Sequence, residues 1–119
     1  MKLGTLVAAQ PAMKLLSETK LPVKVSFRVA KALQLAAVDL NVYEQERLKL
    51  LQELGVLSDD KNQYVFDSTE KMNSFYGAVA ALQEEDLQVD LPLISVNDLG
   101  DIDLAPSTIF PLLGVLLTE

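Results

Sequence analysis

The 119-residue chain has no cysteine, no histidine and no tryptophan, and aromatic residues make up only 6% of it. Without cysteine there are no disulfides and no thiolate chemistry, and the sequence is compatible with a reducing compartment. Without histidine there are no Ser-His or Cys-His nucleophile pairs, no His-bearing zinc sites, and no general base of the commonest kind near neutral pH. The expectation is therefore a protein that is not an enzyme, with no metal and no cofactor. Long apolar runs are missing as well. The longest, Ile109 to Leu117, is half of what a membrane span needs, and the N-terminal MKLGTLVAAQPAMK lacks a sustained apolar core and cleavage segment, so we read a soluble, mature chain.

Apolar residues are plentiful at 50%, a large share for one small soluble domain spanning residues 1–119. Either a well-filled helical core absorbs them or part of that area lies against another chain. Charge is unevenly spread. Residues 1–55 hold 8 Lys/Arg against 5 Asp/Glu, whereas residues 56–119 hold 2 against 12, within a net charge of −7. Such a division suits complementary faces meeting within the molecule or between subunits, or an acidic surface offered to a basic partner.

The most legible stretch is helical, from Pro22 to Leu54, opened by a proline in the first turn and closed by Gly55. Val29, Leu33, Ala36, Leu40, Tyr43, Leu50 and Leu54 follow the 3- and 4-residue spacing of a buried seam, interrupted by Arg47. Val25, Ala32, Leu35 and Val38 make other faces apolar too, so the first half is expected to be covered on more than one side. At about 1.5 Å per residue this helix would be roughly 50 Å long, more than a compact domain of this size is wide. Part of it must find a partner.

The remaining elements are shorter. Leu3, Thr5 and Val7 alternate, which predicts an extended start before a helical turn from Pro11 to Ser17. Asp59 to Asn62 read as a polar turn and Tyr64 to Phe66 as a short strand or an extended approach. Asp67 or Ser68 then caps a helix of about 68–85, Asp67 and Glu70 having capping-box spacing. That helix folds back antiparallel on the long one. Leu87, Val89 and Leu91 alternate as in a half-buried strand that Pro92 limits, and Ile94 to Val96, Ile102 and Leu104 extend the pattern into a short ribbon or extended segment. A short helix begins at Pro106, with Pro111 and Gly114 inside the apolar ending. The fold class is α+β, mainly helical.

Two charge clusters are candidates for contact. Lys20, Lys24, Arg28 and Lys31 recur at four, four and three residues, along one side of the long helix's start. They are a solvated or partner-docking face, or, in a weaker alternative, a phosphate grip for nucleic acid. Asp86, Asp90, Asp98, Asp101 and Asp103 form the acidic counterpart. Their spacing does not fit a calcium loop, which needs ligands at positions 1, 3 and 5, glycine at 6 and Glu at 12. No phosphate loop or dinucleotide fingerprint occurs, since the glycines are scattered singly.

The runs LPVKVSFRVAKALQLA, YEQERLKLLQELG and FDSTEKMNSFYGAVAALQEEDLQVDLPLISVNDLGDIDLAPS resemble a family of small uncharacterised bacteriophage and prophage proteins. The resemblance covers nearly the whole chain and departs only in the apolar ending. It implies a phage context, in the virion or the host cytoplasm, and brings no catalytic residues. Combined with the charge pattern, it suggests a virion structural or assembly component of head, neck or tail. That component would join a homo-oligomer or another phage protein. A soluble binder of a host or defence protein, acting through the acidic half, is the alternative.

Overall fold

A computed structural model describes residues 1–60, 63–100, 102 and 104–118. The expected turn residues Lys61 and Asn62, the acidic candidates Asp101 and Asp103, and Glu119 lie outside the described residues. The fold is mainly helical α+β. Its elements are α1 (Leu3–Ser17), α2 (Val23–Leu54), β1 (Val56–Leu57), β2 (Tyr64–Val65), α3 (Thr69–Gln83) and β3 (Ile94–Ser95). A 3-10 turn (Val96–Leu99), α4 (Pro106–Ile109), a second 3-10 turn (Phe110–Leu112) and β4 (Leu117–Thr118) complete it.

The N-terminus is helical and not extended. Leu3, Leu6, Ala9, Ala12, Met13 and Leu16 recur every three or four residues and are all buried on one face of α1. Thr5, part of the expected alternation, is exposed. Three alternating residues were too short a run to outweigh about four helical turns' worth of periodicity once a neighbour was there to receive it. Pro11 sits in the interior of α1, exposed, where it removes the N–H that would donate to the Val7 carbonyl. Pro11→Ala should therefore raise stability by about 2 kcal/mol, the helix gain being partly offset by a freer unfolded chain. Urea denaturation would show a higher midpoint at an unchanged slope.

A five-residue connection returns the chain antiparallel along α1 as α2, whose length sets the 50 Å long axis of a molecule only 31 by 23 Å in its other dimensions. Val25, Val29, Ala32, Ala36, Leu40 and Tyr43 are its buried residues. Gly55 ends α2 in extended backbone, where a Cβ would sit 2.8 Å from the Leu51 carbonyl oxygen, a contact only glycine avoids. The β1–β2 hairpin follows, pairing Val56 with Val65 and Leu57 with Tyr64. It turns the chain into α3.

The cap of α3 is Ser68, whose Oγ accepts from the Lys71 backbone N–H at 3.1 Å. Asp67 is not the cap; its carboxylate meets the Lys71 ammonium at 3.3 Å instead. One residue of register decides this, because Ser68 immediately precedes the first helical residue and its extended backbone aims the side-chain oxygen at the open N–H groups. α3 packs antiparallel on the second half of α2, tied to it by Gln83, which donates to the Tyr43 hydroxyl at 3.0 Å; its buried Phe75 lies tilted against Phe66 at 5.3 Å and edge-on to Tyr76 at 5.5 Å.

Residues 87–91 show the expected alternation in burial, with Leu87 and Val89 half-buried, Leu91 buried, and Gln88 and Asp90 exposed. They are nevertheless not a strand. Their ladder stops after the Leu87 N–H donates to the Met1 carbonyl at 2.8 Å, and Lys2 and Asp86 form an isolated antiparallel bridge. Strand pairing occurs further on, where β3 runs parallel to β4 in the register Ile94–Leu117 and Ser95–Thr118. Gly114, at φ +82°, makes the turn that directs the chain into it. Leu112, Leu116 and Leu117 are fully buried with Leu6, Met13, Leu16, Val29 and Ile94, so the apolar ending fills the chain's own core.

Candidate protein-docking face

Core packing determines where the charge clusters end up. α1 and the C-terminal segment cover one side of the first half of α2, while α3 covers its second half. The opposite side of the first half stays bare: Val23 is 84% exposed, Phe27 69%, Val38 66% and Val42 54%, and Leu35 is exposed as well. The expectation that Val25, Ala32, Leu35 and Val38 would all be covered holds for Val25 and Ala32 and fails for Leu35 and Val38. At about 100° of rotation per residue, no single layer of neighbours can reach both sides of one helix.

Beside this bare stripe stand the cations. Lys24, Arg28 and Lys31 are exposed on α2, and Lys20 is exposed on the connection that leads into it. Val23, Lys24, Phe27, Arg28, Lys31 and Pro92 line one shallow groove of about 550 Å³. The structure thus brings together three of the four basic candidates and adds an apolar floor. Pro92, Val23 and Phe27 are the residues that sequence reasoning missed. Val23 and Phe27 were legible as a second apolar stripe four residues apart, but nothing in the sequence indicated that it would be left open. Pro92 arrives there only through the long-range path of the extended segment.

Of the acidic candidates, Asp86, Asp90 and Asp98 are described and exposed, and no group of three or more metal-binding side chains occurs among the described residues. Asp86 lies beside Lys2, whose ammonium donates to Glu84 at 2.8 Å. That hydrogen bond, and the nearby Glu84 and Asp86 charges, hold the Lys2 ammonium above its ordinary value of 10.5. Because the shift is upward, its small contribution is present below the ordinary lysine range and disappears as pH rises through the folded value, leaving neutral pH unaffected. Of the ion pairs among the described residues, Lys2–Glu84 joins the basic and acidic halves, whereas Arg47–Glu44, Lys49–Glu46 and Lys71–Asp67 are local helix pairs.

Lys20, Lys24, Arg28 and Lys31 have no ion-pair partner among the described residues, so none of the described carboxylates of the acidic half neutralises the basic stripe. Asp98 lies in the 3-10 turn capped by Ser95 and, like Asp90, is without an ion pair among the described residues. No helix of the described residues is long and apolar enough to cross a membrane. An apolar floor edged by unpaired cations is suited to an amphipathic surface carrying carboxylates, whose apolar side chains fill the groove while its acids meet the rim. No family model, curated protein or solved structure matches the chain.

Proposed function

We propose that this is a non-enzymatic phage protein that works through protein–protein contacts, as a structural or assembly component of the virion head, neck or tail. The observation that carries the contact reading is the bare first half of α2, where Val23, Phe27 and Val38 lie exposed beside Lys24, Arg28 and Lys31. Burying large apolar side chains is worth about 1.5–3 kcal/mol each, and the unpaired cations add orientation and rate of encounter more than affinity. The phage context rests on the resemblance of the LPVK, YEQER and acidic segments to small phage proteins. The lack of histidine and cysteine supports a role without catalysis.

The alternative role is a phage-encoded binder or inhibitor of a host or defence protein, acting in the host cytoplasm. It is favoured by the exposure of Asp86, Asp90 and Asp98 in a half of the chain that is strongly acidic. One experiment separates the two readings. Particles purified from cells expressing a tagged chain contain it at fixed stoichiometry if it belongs to the virion. Its absence from particles, together with co-purification of a host protein that is lost when Asp86, Asp90 and Asp98 are changed to Lys, would replace the first reading with the second.

A further inference from the structure

The groove at the start of α2 lies in a run whose charge has one sign. Residues 19–38 hold Lys20, Lys24, Arg28 and Lys31 and no acidic residue. All four cations are exposed and without an ion-pair partner among the described residues, and α2 has neither a side-chain cap nor an acid in its first turn. At about 100° of rotation per residue, Val23, Phe27 and Val38 fall along one line on the outer side of α2. Lys24, Arg28 and Lys31 stand on one flank of that line, and Ser26 and Ala30 on the other. We propose that this groove binds an acidic amphipathic helix of a partner protein. Its large apolar side chains seat on Val23, Phe27 and Pro92, and its Asp and Glu side chains face Lys24, Arg28 and Lys31. The proposal rests on reading this face as a docking surface and names the chemistry of its occupant.

Charge selects the sign of the occupant. Covering the apolar floor takes water from the rim cations, which costs free energy unless carboxylates replace that water; a basic segment would be repelled outright. Spacing selects a helix. Lys24, Arg28 and Lys31 follow one another at rises of about 6 and 4.5 Å, so carboxylates placed four and three residues apart on a second helix laid alongside meet them in step. An extended segment has no strand edge to join there, because five of the six lining residues belong to α2 and the sixth, Pro92, has no N–H.

Extent selects a short segment over a polyanion. Beyond the run, Asp39, Glu46 and Glu53 recur every seven residues on the Arg28 flank of α2, and the whole chain carries −7. A nucleic acid or an anionic bilayer reaching along α2 would meet these carboxylates. A helix covering Val23 to Val38, about 22 Å or roughly four turns, ends before them.

The probe is a capped synthetic helix with leucines along one face and glutamates along one adjoining flank, titrated with the full chain and followed by fluorescence anisotropy. It should bind saturably, and the same peptide with Gln in place of Glu should bind at least 10-fold more weakly. Phe27→Ser should weaken the Glu peptide at least 10-fold with unchanged helical circular dichroism. Lys24→Glu with Arg28→Glu and Lys31→Glu should release the Glu peptide and take up its Lys counterpart, an exchange that a merely sticky apolar face does not produce. Equal binding of the Glu and Gln peptides, or binding indifferent to Phe27→Ser, overturns the proposal. It is also overturned if the peptide fails while Phe27→Ser abolishes retention on phosphatidylserine vesicles, retention of DNA, or self-association at hundreds of micromolar, each of which names a different occupant. If the peptide fails and Phe27→Ser abolishes incorporation into particles, the acidic helix is overturned and the docking reading stands; if the peptide fails and incorporation is unaffected, both fall.

Discussion

Leu116→Ala should lower the free energy of unfolding by about 3 kcal/mol and the melting temperature by on the order of 10 °C, through lost transfer energy and the cavity left behind. Leu116 is fully buried beside Leu112, Leu117 and Ile94, and its backbone is held on both sides: its N–H donates to the Leu112 carbonyl at 2.9 Å and its carbonyl accepts from Ile94 at 2.8 Å. A fixed backbone cannot follow the shortened side chain inward, so the cavity persists. Against a total stability of roughly 5–15 kcal/mol, the loss is a large fraction. Thermal scans at several protein concentrations check the location of the effect. A drop in melting temperature that is the same at every concentration belongs to the chain's own core. A drop that disappears on dilution would mean that the apolar ending seats in a neighbour.

The second large effect separates binding from stability. Lys24→Glu with Arg28→Glu and Lys31→Glu should weaken association through the α2 face by at least 100-fold, while folding changes by less than about 1 kcal/mol. All three cations are exposed and unpaired among the described residues, so no interaction within the chain is lost. α2 also has no acidic residue in its first turn, and Glu at position 24 would face the positive end of the helix dipole favourably. The wild-type association should weaken as salt rises, and the reversed variant should lose most of that dependence. Retained binding with unchanged salt dependence would remove the basic stripe from the interface. A melting temperature lowered by 10 °C would show that the cations hold the fold instead.

These expectations draw differently on sequence and structure. The long helix from Pro22 to Leu54 and the return of a second helix beginning near residue 68 were readable because their apolar positions repeat over many turns and have local stop and start signals, Gly55 and Ser68. α1 was not read correctly, because Leu3, Thr5 and Val7 imitate a strand for three positions and Pro11 reads as the start of a helical turn when it lies inside the helix. Burial of Leu6, Ala9, Ala12, Met13 and Leu16 in one core with α2 and the C-terminal run overrides both signals. The segment 87–91 shows the converse: its alternation gave the right buried side but no ladder, because strand pairing needs a partner, and alternation within one segment carries no information about that partner.

For the docking face, the four cations and their common side of the helix were visible from spacing alone. That Lys24, Arg28 and Lys31 share a groove with Pro92, and that Phe27 and Val38 remain in solvent, was not. Composition and local periodicity determined by themselves the long helix, the helix that follows it, their apolar stripes, the division of charge and the lack of histidine and cysteine chemistry. Only the tertiary structure decided which of the two apolar sides of α2 is core and which is surface. A helix wheel fixes angles within one element, whereas burial depends on where α1 and the C-terminal run pack, and those contacts join residues far apart in the chain.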